Sequence, residues 1–257
     1  MAGAPAGGLT TNVEEYDGTS WTEVSNITGV ARYDFFNAGT QTAALIAGGN
    51  DHGVVDLDIC EIYDGSSWSE TANLGTGRYR GAQGIGLQTA ALAVGGNLPG
   101  GIQNLNEEFN GTSWTELADP TTPRYNQAAG GTSTAAIVMG GQAPATVGAT
   151  ETWDGTSWTE VNDMNTGRVI AGSALRAPNS TSLLAGGYPV SALTESWNGT
   201  CWTEVGDLGT GRQNVGACGI GTSALLWGGQ AGPPPATTDA TEEWSDPLLA
   251  VKTFTSS

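Results

Sequence analysis

The sequence repeats itself. Glu-Glu-Tyr-Asp-Gly-Thr-Ser-Trp at residues 14–21 returns as Glu61-Ile-Tyr-Asp-Gly-Ser-Ser-Trp68, Glu108-Phe-Asn-Gly-Thr-Ser-Trp114, Glu151-Thr-Trp-Asp-Gly-Thr-Ser-Trp158 and Glu195-Ser-Trp-Asn-Gly-Thr-Cys-Trp202. A degraded copy stands at Glu242-Glu-Trp-Ser-Asp246. The second aromatic falls at Trp21, Trp68, Trp114, Trp158 and Trp202, a period of 47, 46, 44 and 44 residues. A unit of that size cannot bury its own apolar face, so copies must stack on one another, in a ring or in a solenoid.

Each unit reads as short strands. In residues 73–118 a Gly-rich segment leads into Arg-Gly-Ala-Gln-Gly-Ile-Gly86, whose small residues suit a strand crowding a central axis. The apolar run Ala-Ala-Leu-Ala-Val-Gly-Gly96 is too short for a helix and ends in a glycine pair. A third strand reaches Phe109, and Asn110-Gly111 predicts a type I′ hairpin into the fourth strand, Ser-Trp-Thr-Glu-Leu117. The glycine pairs recur at 48–49, 95–96, 140–141, 186–187 and 228–229.

The Gly-Gly pair, the aromatic-Asp/Asn-Gly turn, the Trp about six residues after Glu and the Arg before the first strand together resemble the kelch repeat. That resemblance implies an all-β propeller of four-stranded antiparallel blades, as one domain over residues 1–257. Repeats are expected at 27–72, 73–118, 119–162, 163–206 and 207–254. An extra N-terminal hairpin, residues 9–25, is left to start a sixth blade, cover the ring edge or pair with a neighbouring chain. Five blades are favoured and six stay open. The wording of the copies, with Thr-Ser-Trp-Thr-Glu-Val and the ending Val-Lys-Thr-Phe-Thr-Ser-Ser257, also resembles kelch-like proteins encoded by tailed phages, marine ones especially.

Composition narrows the function. Leu, Ile, Val and Phe number only 45 of 257 residues and the net charge is −18, a pairing that suggests disorder until the evenly spaced tryptophans are counted against it. Seven Arg and one Lys against 26 acids argue against nucleic acid or anionic lipid as partner. No run reaches the ~18–20 apolar residues of a membrane span, and the start lacks the pattern of a signal peptide. Cys60, Cys201 and Cys218 share no repeat position and make no disulfide framework.

Catalytic constellations are not evident. His52 is the single histidine, so the two-histidine copper site that the resemblance would imply for oxidases of this fold cannot be built. The usual zinc sets and a Ser-His-Asp triad are short of ligands for the same reason. No metal, no cofactor and no enzymatic activity are expected.

Two sets of candidate binding residues remain. Arg32, Arg78, Arg124, Arg168 and Arg212 lie 46, 46, 44 and 44 apart. They form either a cationic ring for a carboxylate, phosphate or acidic peptide, or a scaffold in which each pairs with its repeat's glutamate, at Glu61, Glu108, Glu151 or Glu195. The second set heads the irregular loops after the glycine pairs: His52, Asn97, Gln142, Tyr188 and Gln230. In a propeller these loops emerge on one face, where specificity is placed.

The expectation is a non-enzymatic structural or adhesive virion protein of tail-fibre, appendage or capsid-decoration type. Its partners would be other virion proteins or a host-surface glycan or protein, without nucleic acid or membrane insertion and with a homo-oligomer left open. The alternative is a free carbohydrate- or acidic-peptide-binding module.

Overall fold

The computed structural model describes residues 8–17, 19–51, 56–82, 84–173, 179–232 and 236–245. Among them every regular element is a strand. A hairpin comes first, β1 (Val13–Tyr16) and β2 (Trp21–Val24). The first blade is β3 (Phe36–Thr40), β4 (Ala43–Ala47), β5 (Cys60–Tyr63) and β6 (Trp68–Glu70). The second is β7 (Gly86–Leu87), β8 (Ala90–Leu98), β9 (Gly101–Phe109) and β10 (Trp114–Glu116).

In the third, β11 (Ala128–Thr132) and β12 (Ala135–Met139) precede a small loop ladder, β13 (Gln142–Ala143) with β14 (Ala145–Thr146). β15 (Thr150–Trp153) and β16 (Trp158–Val161) complete that blade. The fourth is β17 (Gly172–Ser173), β18 (Ser182–Ala185), β19 (Thr194–Trp197) and β20 (Trp202–Glu204).

The fifth starts with β21 (Arg212–Gln213), β22 (Gly216–Ile220) and β23 (Ser223–Trp227). β24 (Gln230–Ala231), β25 (Ala236–Thr237) and β26 (Thr241–Ser245) follow.

Four sheets thus have four antiparallel strands in sequence order, and the fifth blade shows β22-β23-β26 among the described residues. The first strands of successive blades touch, β3 to β7 to β11 to β17 to β22, so the sheets stand as blades around one axis. This is a β-propeller. No comparable approach joins β22 to β3 among the described residues.

The expected type I′ turn is not what joins the outer strands. Trp114 pairs with Phe109, so the loop is Asn-Gly-Thr-Ser, four residues long, and only Gly111 has a positive φ, +91°. Asn110 instead uses its side chain: its Oδ1 accepts from the backbone N–H of Thr112 (3.0 Å) and Ser113 (2.9 Å). Asp64 and Asp154 accept the same pair of bonds, at 2.8 Å each. The position therefore takes Asp as readily as Asn, a side-chain turn and not a backbone one. Across the turn the aromatics stack as tilted pairs, Tyr63 with Trp68 at 5.1 Å and Trp153 with Trp158 at 5.3 Å between centroids.

Blades join through small residues. Trp202 donates its indole N–H to Thr150 Oγ1 of the blade before it (3.1 Å), and Trp158 packs on the core of Leu92 and Val94. The second glycine of each of the first four pairs donates to the carbonyl of the next blade's arginine: Gly49 to Arg78 (3.0 Å), Gly96 to Arg124 (3.0 Å), Gly141 to Arg168 (3.0 Å) and Gly187 to Arg212 (2.8 Å). The first glycine leaves room for that approach. A Cβ on Gly140, at φ +61°, would sit 2.4 Å from the Arg168 carbonyl oxygen.

Candidate binding face

The five arginines are buried, at 0–2% exposure, and each meets a glutamate of its own blade. Arg124 Nη2 lies 2.7 Å from Glu151 Oε1, Arg168 Nη2 2.8 Å from Glu195 Oε1 and Arg212 Nη2 2.6 Å from Glu242 Oε1. Arg32 Nη2 and Glu61 Oε1, 3.0 Å apart, form an ion pair without hydrogen-bond alignment. Arg78 meets Glu107, not the Glu108 expected from the sequence. The reason is the two-residue period of a strand. Glu107 stands two residues before Phe109, as Glu61 stands before Tyr63 and Glu151 before Trp153, while Glu108 occupies the position of Ile62 and Thr152 on the opposite face.

Each glutamate holds a second group. Its Oε2 accepts the backbone N–H of Thr28 (2.7 Å), Gly75 (2.7 Å), Thr121 (2.7 Å), Asn165 (2.8 Å) or Gly209 (2.7 Å), in the loop leading to its arginine. Burial pushes the Arg78, Arg124 and Arg168 guanidinium pKa down, and the facing glutamate opposes that shift. An anion could reach these groups only by displacing a carboxylate, one that is buried in four of the five pairs. The observed pairing is that of the scaffold alternative, each arginine held by a glutamate of its own blade.

Behind each arginine comes a residue at the axis. Asp34, Arg80, Asn126, Ile170 and Asn214 all have positive φ, 49° to 59°. They are linked blade to blade by backbone bonds: Arg80 N–H to Asp34 O (2.8 Å), Asn126 to Arg80 (2.6 Å), Ile170 to Asn126 (3.0 Å) and Asn214 to Ile170 (3.0 Å). This arc is regular in backbone and irregular in side chain. No motif in the sequence marks it except position, two residues after each arginine.

The loop residues gather beside that arc. The residue after each arginine bridges the residue after each glycine pair: Tyr33 with Asn50, Tyr79 with Asn97, Tyr125 with Gln142, Val169 with Tyr188 and Gln213 with Gln230. Four of the five loop candidates, Asn97, Gln142, Tyr188 and Gln230, are thus brought to one face, and His52 lies outside the described residues. Asn97 Nδ2 donates to Tyr79 Oη (3.2 Å), and Gln213 Nε2 donates to Gln230 Oε1 (3.2 Å). The Tyr33 and Tyr79 rings meet edge-on at 6.5 Å. Arg80, 5.1 Å from the Tyr79 ring centre, is tethered to Asp34 (2.9 Å). Tyr188 is 52% exposed. Aromatic faces, amides and one tethered cation can stack on and hydrogen-bond a polar ligand.

Other features lie apart. A shallow concavity of about 570 Å³, lined by Glu160, Val161, Asn162, Trp197, Gly199 and Thr200, sits between the third and fourth blades and includes none of the candidates. Cys60 is buried, which pushes its thiol pKa up to about 12. Among the described residues no three His, Cys, Asp or Glu side chains converge as metal ligands.

The fold is shared. A solved structure titled "Structure of YjhT" superposes with a TM-score of 0.76 at 14% identity, covering 94% of this chain and 90% of that one. At that identity the likeness concerns the propeller alone. No family model and no curated protein matches the sequence.

Proposed function

We propose that the protein is a non-enzymatic adhesive propeller that uses the face around Tyr33, Tyr79, Tyr125 and Tyr188 to hold a partner on a virion or a host surface. One observation carries this reading. Backbone geometry is kept from blade to blade at this face while the side chains on it change, from Tyr-Asp to Tyr-Arg, Tyr-Asn, Val-Ile and Gln-Asn. A rigid frame with variable contacts is the arrangement in which recognition is placed. The virion setting rests on the phage-like wording of the repeats.

Proteomics of purified particles tests it. The chain should be present in particles, and Tyr79→Ala with Asn97→Ala should reduce particle adsorption while leaving the melting temperature of the isolated protein unchanged. Absence from particles, with abundant free protein in infected cells, would overturn the virion role. The second reading, a free carbohydrate-binding module, is favoured by the amides of Asn97 and Gln142, which pair with Tyr79 and Tyr125. A glycan array that binds wild type and not the double variant would move it ahead.

A further inference from the structure

Of the described arginines, five are locked in the blade pairs and only Arg80 reaches solvent, its side chain 37% exposed. It does not stand on the axial face as a free charge. Its Nε donates to Asp34 Oδ2 (2.9 Å), and the loop that Asn50 opens holds two further acids, Asp51 and Asp56. Acids therefore outnumber the one cation among the described residues of this face. The bonds left unmade sit side by side. Among the described residues Arg80 Nη1 and Nη2 donate no hydrogen bond, and Asp34 Oδ1 accepts none. Asn126, the next axial residue, donates its N–H to the Arg80 carbonyl (2.6 Å) and is half-buried, yet its side-chain amide is unbonded, as is the hydroxyl of half-buried Tyr125 before it. The later positions differ. Ile170 is apolar, and Asn214 Nδ2 donates to Gln230 Oε1 (3.5 Å). The unmet polar groups are thus gathered on the first three blades.

Their arrangement selects by charge. An anion on the guanidinium would lie against the Asp34 carboxylate, and a cation on that carboxylate would lie against the guanidinium, so a ligand of either sign is repelled by half of the pair. A hydroxyl donates and accepts at one atom, and two hydroxyls on neighbouring carbons meet both halves at once. Tyr125, which has no aromatic partner among the described residues, offers a ring to the apolar C–H face of such a ligand. We propose that the axial groups of the first three blades form a subsite for an uncharged glycan, with adjacent hydroxyls of one sugar held by Asp34 and Arg80 and its ring set against Tyr125. The subsite rests on the reading of this face as the binding face, and it narrows the host-surface partner to a neutral carbohydrate.

The test is a glycan array on which each neutral glycan stands beside the same glycan capped with a carboxylated sugar, read with the full chain and two variants. Wild type should bind at least one neutral member, and its acidic counterpart about tenfold or more weakly. Arg80→Gln should weaken the neutral glycan about tenfold, since hydrogen bonds from a charged group are lost. Asp34→Asn carries the deciding sign. It should weaken the neutral glycan and strengthen the acidic one, because the repelling carboxylate is gone, whereas a merely structural role would weaken both. Asn tolerates the positive φ of this position, 54°, so the variant keeps the fold, checked by an unchanged melting temperature.

Binding to acidic glycans alone, binding to no neutral glycan, equal binding of a neutral glycan by wild type and both variants, or loss of both signals in Asp34→Asn overturns the subsite. Failure of the face is distinguishable from these. Where Tyr79→Ala with Asn97→Ala abolishes particle adsorption but no neutral glycan binds, the face stands and the subsite falls. Where that double variant changes neither adsorption nor the array, both fall.

Discussion

Arg124 and Glu151 are joined through a 2.7 Å contact in which each side chain is 1% exposed, and the same carboxylate holds the Thr121 N–H. One acid thus ties the loop before the first strand to the third strand of the blade. A buried ion pair of this kind adds little net stability over an apolar pair, but losing one member leaves an uncompensated charge.

Arg124→Gln should therefore destabilise the protein by about 3–5 kcal/mol. At roughly 2–4 °C per kcal/mol for a chain of this size, the melting temperature falls by about 10 °C. Arg124→Met with Glu151→Leu should recover much of the loss. Calorimetry of the three proteins checks it, and an unchanged melting temperature for Arg124→Gln would return the arginines to ligand duty.

The turn carboxylates make stability depend on acid. The Ser66 hydroxyl, then the backbone N–H groups of Ser67 and Ser66, hold the Asp64 carboxyl pKa at about 2, below its ordinary 3.8. A depressed folded-state pKa gives stability that is present in full above the unfolded value and lost as pH falls through the folded one. The window is thus about pH 4 down to about pH 2. Asp64→Asn keeps the two backbone bonds, as Asn110 does, so it should unfold with a shallower pH dependence in that window and nearly equal stability at pH 7. Melting curves between pH 2 and pH 7 measure both quantities.

Thiol reactivity should divide two to one. Cys201 and Cys218 are exposed, and Cys60 is buried with its thiol pKa pushed up to about 12. Since the thiolate is the reactive form, Ellman's reagent should titrate two thiols in the native protein and the third only on denaturation.

Glycine replacements should separate close approach from backbone preference. Both Gly140 and Gly228 have positive φ, so alanine strains either. At Gly140 the added methyl would also meet the Arg168 carbonyl at 2.4 Å, whereas at Gly228 it finds nothing nearer than 3.8 Å. Gly140→Ala should cost about 1–3 kcal/mol more than Gly228→Ala, measured by urea unfolding.

Much of this was legible in the sequence because the fold is written five times over. The Trp spacing, the glycine pairs and the alternation of small residues each point to stacked four-stranded units, and the sheets follow them. Two local expectations missed for physical reasons. Asn110-Gly111 reads as a backbone turn, but a four-residue loop lets the Asn side chain make the bonds, and Asp at the same position in other copies was the signal. Glu108 was aligned by its nearness to the aromatic, whereas strand alternation selects Glu107. Whether the arginines face a ligand or a carboxylate could not be read, because scaffold and site residues recur with equal regularity. The axial arc has no signature in residue type, being defined by backbone conformation.

The bond from each glycine pair to the next arginine carbonyl carries a mechanical consequence. A blade that loosens releases its neighbour's glycine and its own glutamate together, so interior blades are braced from two sides. Among the described residues the first and fifth blades are each braced from one. Wear on the ring, whether by heat, protease or solvent exchange, should start at these two blades and run inward, like a belt fraying from its unfastened ends.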